Sequence, residues 1–158
     1  MANISMTETV LQCHPLSEEG FVDAIAVHVD RAEAGRLQIK YTLHGLIDEI
    51  HFPKAAQPER TDGLWKDTCF ELFCGRADDG SYVEFNFAPT GQWAAYSFRS
   101  RRSGMRNIVQ VGEAPIGTMM FGRQFVLKAE LDLSGVEGLP PADAPLRAAI
   151  STVIEAAE

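Results

Sequence analysis

Basic residues are in short supply: 14 Lys and Arg stand against 22 Asp and Glu, for a formal charge of −8. A chain this acidic is repelled by phosphate backbones and by anionic lipid, which argues against nucleic acid and membrane surfaces as partners. The one dense basic run, Arg99, Arg101, Arg102 and Arg106, is small beside the footprint of a nucleic-acid binder. Cysteine is scarce as well. Cys13, Cys69 and Cys74 cannot all pair within one chain. Cys69 and Cys74 fall at opposite parity on one expected strand, so they point to opposite faces. Reduced thiols and a cytoplasmic location follow, with a secreted form already stripped of its leader as the alternative. The N-terminus lacks the basic-then-apolar order of a secretory signal, and no window approaches the roughly 20 apolar residues of a membrane helix. Neither a G-x-S-x-G elbow nor a Gly-rich phosphate loop is present. His14, His28, His44 and His51 show no ligand spacing with one another or with the cysteines, so no metal site is expected.

What the chain has in quantity is alternation of period two, broken at short intervals by turn residues. Leu37, Ile39, Tyr41 and Leu43 point one way while Gln38, Lys40, Thr42 and His44 point the other, the pattern of a sheet with one wet face. Phe21 to Val29 predicts an earlier strand, apolar on both faces, and Ile47 to Phe52 a further one. Lys54 to Gly63 is a long connection of the kind that often carries function. Asn107 to Val111 and Gln124 to Asp132 predict strands, and Gly112 to Gly122 is ambiguous. Ser134 to Pro145 cannot be regular, with Gly135, Gly138, Pro140, Pro141 and Pro145 inside it. Leu146 to Ile154 is a last strand or a short helix. Eight or nine short strands and no amphipathic helix predict an all-β fold. The expected form is one antiparallel β-sandwich domain over residues 1–158, of jelly-roll or immunoglobulin-like type.

The segment Leu64 to Phe98 carries the chemistry. Tyr82, Glu84 and Asn86 alternate with Val83, Phe85 and Phe87, and Cys69, Glu71 and Phe73 with Phe70, Leu72 and Cys74. If Gly75 to Ser81 closes a hairpin, Glu71 and Glu84 share a face and lie nearly opposite each other. Like charges so placed are destabilising unless something sits between them. Arg99 is the expected neutraliser. Trp65 follows a polar loop and Trp93 follows the turn Pro89, Thr90, Gly91, so both are expected at strand edges, where an indole either caps the core or offers a flat surface. Glu71, Glu84, Asn86, Trp65, Trp93 and Arg99 together predict a binding face. A pyranose stacks its C–H patch on indole and gives its hydroxyls to acids and amides. The same two glutamates could serve as acid and base of a glycosidase, given a cleft of suitable width.

Leu64 to Phe73 and Tyr82 to Tyr96, with Arg102 to Met105, resemble the DOMON-like proteins, relatives of the family 9 carbohydrate-binding modules. The resemblance implies a sandwich whose sheet binds a sugar or, in other branches, haem. Sugar-binding roles would fall on Trp65, Trp93, Glu71, Glu84 and Asn86. Haem-binding relatives use methionine and histidine as axial ligands, and Met105, Met119, Met120 and His44 fit no such pattern here. Related chains continue past the strand ending near Ile154 into another aromatic segment, so the resemblance implies either that this last strand is dispensable or that it is missing here. The expectation is a non-catalytic protein that binds a carbohydrate or similar small polar ligand without a cofactor. Its alternatives are a haem or redox domain and a protein-interaction module.

Overall fold

Two antiparallel sheets of five strands each face one another in the computed structural model, which describes residues 5–17, 20–32, 35–76, 78–108 and 113–158. The strands are β1 (Ser5–Val10), β2 (Val22–Arg31), β3 (Arg36–Gly45), β4 (Cys69–Gly75) and β5 (Tyr82–Phe87), followed by β6 (Trp93–Phe98), β7 (Arg106–Asn107), β8 (Ile116–Phe121), β9 (Gln124–Asp132) and β10 (Arg147–Val153). One sheet has the order β1-β2-β3-β9-β8 and the other β10-β4-β5-β6-β7. The expected all-β sandwich is what the chain forms. No helix among the described residues is long and apolar enough to cross a membrane.

Strand parity sets the core. Leu37, Ile39, Tyr41 and Leu43 of β3 are each at most 1% exposed, and they pack across the gap from Phe70, Leu72 and Phe85 of the second sheet. Burying side chains of this size contributes about 1.5–3 kcal/mol each. Tyr41 brings its hydroxyl into the core and donates it to the Glu71 carbonyl at 2.8 Å, which ties the sheets together with no orphaned polar atom.

Three elements differ from the sequence reading. Ile47 to Phe52 is not a strand. Ile47–Glu49 forms a 3-10 turn, and only Ile50 makes a bridge, to Ala156. Ile47 and Ile50 are both buried, and a spacing of three suits a 3-10 turn, which outweighs the β-branched run. The ambiguous stretch holds edge strand β8. In the Asn107 to Val111 segment, Arg106–Asn107 forms the short β7, while 109–111 lie outside the described residues. Strand β1 was not anticipated, because SMTETV shows almost no apolar alternation. Ser134 to Pro145 is irregular as expected, and Arg147–Val153 resolves to a strand.

Gly45 shows why one backbone position admits no side chain. A Cβ there would stand 2.2 Å from the Phe21 carbonyl oxygen, because the β2–β3 pairing is irregular at Val22 and the chains close tightly.

Candidate functional site

Pairing register lays out the outer face of the second sheet row by row. Ser151 of β10, Glu71 of β4, Asn86 of β5 and Ala94 of β6 form one row, and Ala149, Phe73, Glu84 and Tyr96 form the next. Beyond that row, Tyr82 and Phe98 lie face to face, with ring centroids 4.8 Å apart and planes 12° off parallel. On the other side, the 3-10 turn Leu64–Lys66 folds over the strand ends, and Leu64 joins Cys69, Ala88, Ala94 and Tyr96 in a small apolar cluster. Glu71, Glu84 and Asn86 therefore form a polar band between two apolar margins.

The long loop before β4 supplies one wall. Thr61 donates its backbone N–H to the Trp93 carbonyl at 2.8 Å, and Trp93 returns a bond to the Glu59 carbonyl at 3.2 Å. Anchored there, the loop places the Arg60 guanidinium 5.4 Å from the centre of the Tyr96 ring, and Trp65 meets that ring edge-on at 5.8 Å. Tyr96 donates its hydroxyl to Asp62 Oδ1 at 2.7 Å, while Arg60 Nη1 donates to the same oxygen at 3.1 Å. Burial, with the Asp62 carboxylate second, pushes the Tyr96 phenol up to about 12. Asp62 itself is held below the usual carboxylate range, chiefly by the Tyr96 hydroxyl.

The polar band is short of partners. Asn86 is fully buried and donates its Nδ2 to Glu84 Oε1 at 3.1 Å, which fixes which end of the amide faces the carboxylate. Its Oδ1 is left buried with no hydrogen-bond partner. Glu71 is 8% exposed, and its carboxyl is pushed above the ordinary value first by burial and next by the Glu84 charge, with the neighbouring Ser151 opposing the shift. Burial raises Glu84 too, opposed by the Asn86 amide. Among the described residues, no lysine, arginine or histidine makes a salt bridge to either glutamate.

The predicted residues divide. Glu71, Glu84 and Asn86 share one face, and the loop adds Trp65, 39% exposed, at its margin. The glutamates are not directly opposite. Glu71 pairs with Asn86 and Glu84 with Phe73, so the acids are diagonal neighbours with the amide beside both. Trp93 does not belong to this face. It pairs with Phe87, has core parity and is 8% exposed in the cluster between the sheets. Arg99 continues the parity of Trp93 and Ser97 beyond the strand end. It lines a separate groove of about 340 Å³ with Ser97, Arg106 and Glu137, and does not neutralise the glutamates. Arg60, Asp62, Tyr96 and Ser151 were missed. Tyr96 was legible from the alternation of Ala94, Tyr96 and Phe98, whereas Arg60 and Asp62 belong to a loop whose course no period reveals.

Two other features lie apart. A groove of about 660 Å³ crosses the outer face of the first sheet between β2, β3, β9 and β8. Its Lys40 and Lys128 are offset by Asp30 and Glu130, and it has no aromatic wall. His51, Asp67 and Glu155 bring one donor atom each to within 4.8 Å of one another, a grouping that sequence spacing could not show. The bridge between Ile50 and Ala156 makes it, and the pair His51–Asp67 at 3.5 Å accounts for much of it. Met105, Met119 and Met120 are exposed, and the two on β8 belong to the other sheet. No protein-family model matches the chain, and no curated protein or solved structure does either.

Proposed function

We propose that the outer face of β10, β4, β5 and β6 binds a carbohydrate or similar small polar ligand, without catalysing its reaction. The orphaned Oδ1 of Asn86 carries this reading. A buried acceptor without a partner costs free energy that folding alone gives no reason to accept, so a donor from outside is the natural complement. Two partly desolvated glutamates beside it extend the hydrogen-bonding surface. Trp65, 39% exposed and braced edge-on by Tyr96, adds aromatic surface at its margin, which suits a ligand with both hydroxyls and a C–H face. The resemblance of Leu64 to Phe73 and Tyr82 to Tyr96 to the DOMON-like proteins points the same way, with Trp65 in place of Trp93 as the stacking residue. A cytoplasmic location belongs to the same reading, since Cys13, Cys69 and Cys74 are all free thiols.

Calorimetry against a panel of mono- and disaccharides tests the proposal. Binding by the wild type, weakened in Trp65→Ala and Glu84→Ala, is the expected result. Absence of binding across the panel, or binding indifferent to both substitutions, overturns it.

A further inference from the structure

We infer that the group recognised at this face is a cation, an ammonium carried on the ligand and seated among Glu71, Glu84 and Asn86. The inference rests on the proposed binding role of the sheet and names the chemistry of what it takes. The polar band is rich in acceptors and poor in donors. Two carboxyl groups and the free Asn86 Oδ1 accept. On the donor side, one hydrogen of Asn86 Nδ2 is given to Glu84 and the Tyr96 hydroxyl is spent on Asp62, while Ser151 stands beside Glu71 in register. Arg60 is paired with Asp62 at 3.1 Å, its buried Nε has no partner, and it makes no salt bridge to a glutamate. A neutral hydroxyl would bring one donor and further acceptors into a place already short of donors. An ammonium brings three donors and the missing positive charge.

A bare metal ion fits less well. Calcium takes 6–8 oxygens, and this band offers three groups, one of them an amide whose nitrogen is committed to Glu84. The exposed indole of Trp65 at the margin also favours an organic cation, which gains from aromatic faces.

The placement leaves both carboxyl groups without a counter-charge. Facing Glu71 are Glu84 and Asn86 of β5, Ser151 of β10 and Cys69 of its own strand, with Tyr41 beneath it at its carbonyl and the Arg60–Asp62 pair on the loop above Tyr96. None of these supplies a free positive charge. A bound ammonium would, and it would favour the ionised form of both raised carboxyl groups.

The experiment compares D-glucosamine, N-acetyl-D-glucosamine and D-glucose by calorimetry at pH 7. Glucosamine is expected to bind about tenfold or more tightly than the other two, as a charge-assisted set of bonds implies. Glu84→Gln, checked for an unchanged melting temperature, is expected to erase the advantage of glucosamine over the other two sugars, whatever it costs the binding of all three. Equal binding of the three sugars overturns the cation inference and leaves the binding role of the sheet standing. No binding of any of them overturns both. Calcium binding that a chelator abolishes, without preference for the amine, also overturns it. The comparison of the three sugars needs only the wild type, so it decides the question even if a variant fails to fold.

Discussion

Replacing Trp93 and Trp65 in turn separates folding from binding. Trp93 is 8% exposed and packs in the cluster between the sheets, with its strand paired to β5 and its backbone holding Glu59 and Thr61. Truncation of a buried indole to alanine removes its transfer free energy and leaves a cavity that the surrounding sheets fill only in part, a cost of about 3–5 kcal/mol. A domain of this size loses roughly 2–4 °C of melting temperature per kcal/mol, so Trp93→Ala is expected to melt about 6–20 °C below the wild type. Trp65, 39% exposed and in edge contact with Tyr96, should cost only about 1 kcal/mol on truncation. Urea and thermal melts of both variants, with Trp93→Phe as a milder version, measure the difference. The urea slope should stay constant while the midpoint falls. Calorimetry then completes the pair. Trp65→Ala should keep its fold and lose affinity, and folded Trp93→Phe should bind as the wild type does. A Trp93→Ala protein that melts within about 2 °C of the wild type yet no longer binds would refute the assignment of Trp93 to the core.

Three further expectations follow from buried groups. Tyr41→Phe removes the hydroxyl bonded to the Glu71 carbonyl in the core and should lower the melting temperature by about 2–8 °C, from 1–2 kcal/mol for a buried hydrogen bond; an unchanged melt would show that the bond contributes nothing net. Glu71 has a carboxyl raised in the folded chain, so the fold holds that proton more firmly than the unfolded chain does. Its contribution is whole below the ordinary glutamate value and is lost as pH rises through the higher folded value. Melting temperatures of Glu71→Gln should therefore fall less steeply than the wild type's between pH 4 and 8, and parallel profiles would contradict this. Burial pushes the Cys74 thiol up to about 12 and the Cys69 thiol higher, while Cys13 is exposed. Alkylation at pH 8 should label one thiol quickly and the other two only after denaturation, and fast labelling of all three would count against the burial.

The sandwich was readable because strands with unlike faces declare themselves. In β3 every second residue is apolar, and those four are the ones that meet the other sheet. The same test works on β9, where Phe125, Leu127, Ala129 and Leu131 are buried. It fails where both faces carry the same kind of residue or where a run is too short to show a period. Strand β1 alternates Ser5, Thr7 and Thr9 with Met6, Glu8 and Val10, so a glutamate interrupts its one apolar row. Ile47 and Ile50 look like strand residues until their spacing of three is weighed against their β-branching.

The binding face was only half readable, and the reason lies in what parity can decide. Glu71, Glu84 and Asn86 were placed on one side correctly because each lies inside a strand whose partners are unambiguous. Trp93 opens its strand beside Ala94 and Ala95, and two adjacent alanines, both fully buried, give no sign of which side is core. Only the pairing of Asn86 with Ala94 and Phe87 with Trp93 settles it. The choice has a physical logic. An indole between the sheets fills a volume that Ala95 leaves empty, whereas on the outer face the same place is held by Ala94, small enough for the turn Leu64–Lys66 to close over the strand ends. That closure buries Asn86 from one side and leaves its oxygen without a partner. A larger residue at position 94 should therefore lift the turn, carry Trp65 away from Tyr96 and admit water to the amide. Ala94→Leu is expected to lower ligand affinity and to increase the accessibility of Trp65 to a soluble fluorescence quencher. Retained affinity and unchanged quenching would mean that the turn does not shape the face.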